Sequence, residues 1–139
     1  MLHKCQALVV HCIDFRFHTA IRDFLVSLGL KDQYDLVSLA GASKGLVEND
    51  SASTELILKQ IEVSQRLHEI KEVYLMHHLD CGAYGGREAF KNNQEEREKQ
   101  LADLELSKKI ISEKFPDLEV KKVLARIDNN NNIDFEVVG

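Results

Sequence analysis

The residues of this chain that could do chemistry gather in two short stretches. In LVVHCIDFRF (8–17), a run of apolar, β-branched residues ends in Cys12, Asp14 and Arg16, each two positions from the next. In HHLDCGAYGG (77–86), His78 and Cys81 stand at H-x-x-C spacing. Gly82 and the pair Gly85–Gly86 follow, residues that permit a turn and a close backbone approach. Side chains alternate along a strand. Cys12, Asp14 and Arg16 therefore share one side if the extended conformation persists, while Ile13, Phe15 and Phe17 pack on the other. Two thiolates and one imidazole make three zinc ligands with a fourth position open, the pattern of a catalytic rather than a structural site. Cys12 lies 66 positions before His78, so only the fold can join them. Neighbouring parallel strands, about 4.8 Å apart, would do so.

Taken singly, each residue has a plainer meaning. A cysteine in a buried parallel strand is more often a small hydrophobe than a ligand, and Cys5, which has no partner motif, is read that way outright. An isolated H-x-x-C is a weak signal. A neighbouring Asp–Arg pair is usually a solvated ion pair of little energetic worth. The conjunction at two strand ends is what points to a metal centre.

Those ends belong to elements legible in the pattern of apolar residues. ALVVHCID (7–14), YDLVSLAG (34–41) and EVYLMHHLD (72–80) read as strands buried on both faces. VKKVLARID (120–128) alternates more, and DFEVVG (134–139) closes the series as an edge strand. DNNNN (128–132) is turn chemistry, which makes the last two strands a hairpin. Helical spacing fills the gaps. Over 19–29, Ile21, Phe24, Leu25 and Leu28 share a face behind Thr19 as N-cap. Over 51–69, Leu56, Ile57, Ile61, Ser64 and Leu67 follow Asp50 or Ser51 as cap. Over 94–115 a charged helix turns Leu101, Leu104, Ile111 and Phe115 inward, and Pro116 stops it. Alternating strand and helix predict an α/β protein with a mainly parallel sheet covered on both faces. In such sheets ligands bind outside the carboxyl ends of the strands, where successive connections leave in opposite directions. Both chemistry-bearing stretches lie at such ends.

Composition sets the bounds. The 139 residues predict a single domain over 1–139. A net charge of -5 with no basic stripe argues against nucleic acid as a partner. No apolar run approaches the roughly 20 residues of a membrane span, and MLHKCQALVV lacks a signal peptide's length and cleavage site. Three cysteines, an odd number, suit a reducing compartment, so the expected address is cytoplasmic.

CIDFR followed by HLDC resembles the β-class carbonic anhydrases, whose signature is C-x-D-x-R on the first strand and H-x-x-C-G on a later one. The resemblance spans most of the chain, including Ala40–Gly41 after the second strand. It implies a three-layer fold with strand order 2-1-3-4 and an antiparallel edge strand. It also implies one Zn2+ per chain on Cys12, His78 and Cys81, with Asp14 and Arg16 as a catalytic dyad. The implied reaction is reversible hydration of carbon dioxide to bicarbonate by zinc-bound hydroxide. Asp14, held by Arg16, would accept a hydrogen bond from that hydroxide; without Arg16 it could swing onto the metal. His77, His11 and His18 are candidate proton relays. The family implies a homodimer or higher homo-oligomer with the site near the interface, where the apolar FRF segment (15–17) would serve. This chain departs from the pattern at Phe15, where serine is usual, at Ser38–Leu39 in place of Arg-Asn, and at Ala83 in place of a glycine. It also shows no long helical arm before the first strand. These changes spare the metal ligands and alter the pocket wall. Two other functions share the same residues: a zinc hydrolase of another small heteroallene (CS2 or COS), and a non-catalytic zinc-binding protein. A cysteine phosphatase is excluded because H-C-x5-R would need arginine at position 18, occupied by His18. A P-loop is excluded because GASKG (41–45) lacks G-K-[ST].

Overall fold

A computed structural model of the protein describes residues 3–139. The chain runs β1 (Ala7–His11), α1 (His18–Ser27), β2 (Tyr34–Ser38), α2 (Lys44–Val47), α3 (Ser51–His68), β3 (Glu72–His78), α4 (Asn93–Lys114), β4 (Glu119–Ile127) and β5 (Ile133–Val138). Two short 3-10 turns, Gly82–Tyr84 and Arg87–Ala89, lie between β3 and α4. The sheet order is β2-β1-β3-β4-β5. The first four strands are parallel, and β5 pairs antiparallel with β4. This is the α/β architecture, strand order and antiparallel edge that the sequence leads one to expect.

Strand alternation divides the core into two faces. Leu8, Val10, Val73 and Leu75 face α2, α3 and α4, where Leu46, Ile57, Ile61, Leu104 and Ile111 cover them. Ala7, Val9, Tyr74 and Met76 face the other way, onto Phe17, Ile21 and Leu25. Phe24 of α1 stacks on Phe135 of β5 with ring centroids 4.4 Å apart, closing that layer over the hairpin. Asp50 caps α3 by accepting from the Ser53 amide at 3.0 Å, and Asn92 caps α4 by accepting from the Glu95 amide at 2.8 Å. The hairpin turn is held by Asp128, whose Oδ1 accepts from the amides of Asn130 and Asn132.

Three local expectations change. Helix α1 begins at His18 with Phe17 in the cap position and no side-chain cap, so Thr19 is already helical. Leu28, Leu56 and Leu67, read as core-facing, are exposed. Strand β1 ends at His11 rather than Asp14, and residues 15–17 form a turn that leads into α1. Alternation stops with the strand. Of the three residues expected to pack opposite Cys12, only Phe17 is buried, while Ile13 is 55% and Phe15 84% exposed.

From β1 the chain steps outward to β2, then crosses back to β3 on the other side of β1. The connections therefore diverge between β1 and β3, and the crevice beyond their carboxyl ends is where this topology places ligands.

Candidate metal centre

Cys12 is the first residue after β1, and His78 is the last of β3. Cys81 follows three residues later, just before the first 3-10 turn. All three are buried, and their donor atoms lie within 4.8 Å of one another. The sulfurs of Cys12 and Cys81 are 4.0 Å apart. Donors around a tetrahedral zinc ion stand about 3.3–3.8 Å apart, given Zn–S near 2.3 Å and Zn–N near 2.0–2.1 Å. The observed spacing needs only a slight contraction.

The protonation pattern fits a cation. His78 Nδ1 donates to the Leu79 carbonyl at 2.7 Å, which leaves Nε2 with its lone pair. That Nε2 is buried and has no hydrogen-bond partner. An orphaned acceptor beside two sulfurs is costly unless something positive binds it. The thiols show the same demand. Cys81, donating towards Cys12, pulls the Cys12 thiol far down. The Cys12 anion and burial push Cys81 up in turn. A divalent ion between them removes that conflict by letting both ionise.

The Asp14–Arg16 pair is built by the turn, not by strand alternation. Asp14 Oδ1 accepts from the Arg16 amide at 2.9 Å, an Asx-type turn. The guanidinium then folds back on the same carboxylate, Nε to Oδ1 at 3.1 Å and Nη2 to Oδ2 at 2.8 Å. The Arg16 guanidinium holds the Asp14 carboxyl below the usual carboxylate range. Asp14 Oδ2 stands 3.8 Å from His78 Nε2, within one ligand spacing of the imidazole lone pair.

A residue that sequence reasoning passed over completes the clamp. Asp80 Oδ2 accepts from Arg16 Nη1 at 3.1 Å, and the Asp80 carbonyl accepts from Nη2 at 3.0 Å. Asp80 adopts a left-handed backbone (φ 58°), unusual for a residue with a side chain. Its Oδ1 accepts from the Arg87 amide and its own amide donates to Glu96 Oε2 at 2.7 Å, contacts that hold it there. Asp80 was visible inside HLDC, but nothing in the spacing said that it faces Arg16.

Gly41 is tightly enclosed beside the site. Its φ is +76°, and an added Cβ would come within 3.0 Å of the Cβ atoms of Ala83 and Lys44. Cys12, Asp14, Arg16, Gly82 and Ala83 open on a cleft of about 650 Å³, together with the exposed Ile13 and Phe15. Gly85 and Gly86 both take positive φ in the turn beneath it, whereas Gly82 does not.

The three histidines read as relays part company. His77 alternates to the opposite face from His78 and is sealed between β3 and α4. Its Nδ1 donates to Gln100 Oε1 at 2.8 Å and its Nε2 accepts from Ser43 Oγ at 2.7 Å, while Ser107 donates to Ser43. Burial lowers the His77 pKa to about 4, so the ring is neutral. It does not reach the cleft. His11 is buried and held by the Cys12 carbonyl at 2.7 Å, and its ring centroid lies 5.8 Å from that of the exposed His18. These two line a separate surface pocket of about 390 Å³.

The chain is similar to known proteins. A family model described as "Putative carbonic anhydrase" matches residues 2–138. An uncharacterized protein of Rickettsia conorii is 36% identical over 132 residues, covering 91% of this chain and 70% of its own. One from Rickettsia bellii is 37% identical over 131 residues, covering 91% and 80%. Among solved structures, β-carbonic anhydrase isoform I of Trichomonas vaginalis superposes with a TM-score of 0.58 at 15% identity, covering 100% of this chain and 87% of its own. A tetrameric β-carbonic anhydrase of Sordaria macrospora gives 0.53 at 16% identity, covering 99% and 84%. The structural likeness carries the fold, and the family match carries the membership. The chain belongs to the family described as "Putative carbonic anhydrase", as a divergent member with the fold of the β-class carbonic anhydrases.

Proposed function

We propose that this chain hydrates carbon dioxide reversibly to bicarbonate, with one Zn2+ held at this centre by Cys12, His78 and Cys81. The observation that carries the reading is the buried, unpartnered Nε2 of His78 beside two sulfurs 4.0 Å apart, with a clamped carboxylate next to it. When bound, zinc supplies the Lewis acidity that makes water a nucleophile near neutral pH. Asp14 then accepts a hydrogen bond from the attacking water and aims its lone pair at CO2. Arg16 holds Asp14 off the fourth position, and Asp80 holds Arg16. The apolar side chains of Ile13, Ala40 and Ala83 give CO2 a surface without competing hydrogen bonds.

A cytoplasmic place belongs to the same proposal, since all three cysteines are free and two must stay reduced to bind. Among the described residues no helix is long and apolar enough to cross a membrane. The proposal also includes a homodimer or higher homo-oligomer joined near the cleft, where Phe15 stands in solvent.

The test pairs metal analysis with an assay of CO2 hydration. Zinc-loaded wild type should turn over CO2, and Cys81→Ser should lose both the ion at this centre and the activity. Zinc retained at this centre by both Cys12→Ser and Cys81→Ser would refute the ligand assignment. Zinc bound without CO2 hydration would refute carbon dioxide as the substrate, leaving the same assay to be run with CS2 and COS.

A further inference from the structure

A second set of metal-binding side chains meets at the other end of the sheet. Cys5 lies just ahead of β1, Asp35 is the second residue of β2, and His68 is the last of α3. Their donor atoms all lie within 4.8 Å of one another, and all three side chains are half-buried. The amino and carboxyl ends of β1 separate this cluster from Cys12 by seven residues, on the order of 20 Å at the rise of a strand. The two groups share no residue.

The cluster is held in place by its surroundings. The Cys5 amide donates to the His68 carbonyl at 3.0 Å, which fixes the segment before β1 against the end of α3. Asp35 Oδ2 accepts from the buried Ser64 hydroxyl at 2.6 Å and bonds His68 Nδ1 at 2.6 Å. The Cys5 thiol donates to the Ala7 carbonyl at 3.6 Å, a weak bond that is easily exchanged. Burial, then the charge of Asp35, pushes the Cys5 thiol up. A bound cation would favour its thiolate.

We propose that Cys5, Asp35 and His68 form a second metal site, taking Zn2+ or another late first-row divalent ion. One thiolate, one imidazole and one carboxylate suit such ions and not Mg2+ or Ca2+, which prefer oxygen alone. The thiolate and the carboxylate together carry the charge that neutralises a divalent ion. Binding releases the Cys5 proton to solvent, shifts the His68 ring proton from Nδ1 to Nε2, and puts the ion where His68 and Asp35 now share a hydrogen bond. In a tetrahedral shell the donors stand about 3.3–3.8 Å apart. The Asp35–His68 pair, 2.6 Å apart, therefore opens by about 1 Å, and Cys5, within 4.8 Å of both, closes by no more than about 1.5 Å. Ser64 keeps its bond to Asp35 and so aims the carboxylate. The half-exposed fourth position takes water. Such an ion would tie together the segment before β1, the start of β2 and the end of α3. An ion bound only by the folded chain stabilises it.

The experiment is a zinc titration of the chelator-stripped full chain, with bound metal counted after free ions are removed. Wild type should bind two Zn2+ per chain, and Cys5→Ser, His68→Ala and Cys81→Ser one each. Cys5→Ser should hydrate CO2 at the wild-type rate. Zinc should raise the melting temperature of Cys81→Ser by a few degrees and leave that of the Cys5→Ser, Cys81→Ser double variant unmoved. One zinc in both wild type and Cys5→Ser overturns the proposal, and so do two in both. If the centre at Cys12 were empty instead, wild type would bind a single ion that Cys5→Ser removes and Cys81→Ser keeps. The two sites therefore fail separately. Co2+ supplies a second readout that needs no activity: the thiolate-to-metal absorption of Cys81→Ser should vanish when Cys5 is also replaced.

Discussion

Asp14 stands 3.8 Å from His78 Nε2, and what keeps it there is arginine, so the dyad is a balance between two positions of one carboxylate. Arg16 offers Asp14 a forked, charge-assisted grip, and Asp80 takes the remaining guanidinium edge. Removing Arg16 leaves Asp14 with only the turn bond, from an amide, and close to any ion that the proposed centre would hold. Arg16→Ala should therefore keep its zinc and lose most turnover, because Asp14 moves into the fourth position. Asp14→Ala leaves that position open and loses only orientation, a defect of about 10- to 1000-fold. Steady-state CO2 hydration with zinc counted in the same samples checks both. Equal rates for wild type and Arg16→Ala across the pH range would mean that the pair is a surface ion pair and nothing more.

Helix α4 carries its weight through polar groups on a buried face. Glu96, Gln100, Asp103 and Ser107 recur at helical spacing and are all buried. Gln100 and Ser107 finish the chain of hydrogen bonds through Ser43 and His77, the neighbour of His78 on β3. Asp103 accepts from the Tyr84 hydroxyl at 2.7 Å in the loop that carries Cys81. Ser43→Ala would leave His77 Nε2 buried and unpaired, at a cost of about 1–3 kcal/mol, read by urea denaturation. On the outer side, Arg97 of α4 grips Glu136 of β5, with Nη2 2.6 Å from Oε2. Arg97 holds the Glu136 carboxyl below the usual glutamate range. A carboxyl lowered by folding adds stability above its unfolded pKa and loses it as pH falls through the folded one. Glu136→Gln should therefore cost about 0.2–1 kcal/mol at pH 7, as for a part-exposed pair. The difference from wild type should close as pH falls through and below the usual glutamate range, and a constant difference across that range would show that the pair's charge is irrelevant.

On the scale of the molecule, one exposed aromatic has no role within a single chain. Phe15 projects from the lip of the cleft at 84% exposure, with Ile13 beside it at 55%. Two such residues in solvent at a functional cleft are apolar surface awaiting cover. The Sordaria macrospora protein that shares this fold is tetrameric. Light scattering should give a mass at least twice the 15.8 kDa of one chain at micromolar concentration. Phe15→Asp should shift the population towards the monomer. A monomer in the wild type would refute the assembly.

By itself the sequence determined the elements, their order and the chemistry of two strand ends. Those follow from local rules: apolar runs of strand length, helical spacing of Ile57, Ile61 and Leu104, an Asp cap, an asparagine-rich turn. It also made Cys12, His78 and Cys81 legible as a donor set, because few residue types bind zinc and their spacing from strand ends is short. Only the tertiary structure decided how they are held. The end of β1 at His11 turned a supposed strand face into an Asx turn and put Phe15 outside. Asp80 joined Arg16 across 64 positions. Cys5, dismissed for want of a partner, found Asp35 and His68, which come from β2 and α3. Partners from distant segments leave no period or spacing in the chain, because the distance between them is set by the packing of the sheet.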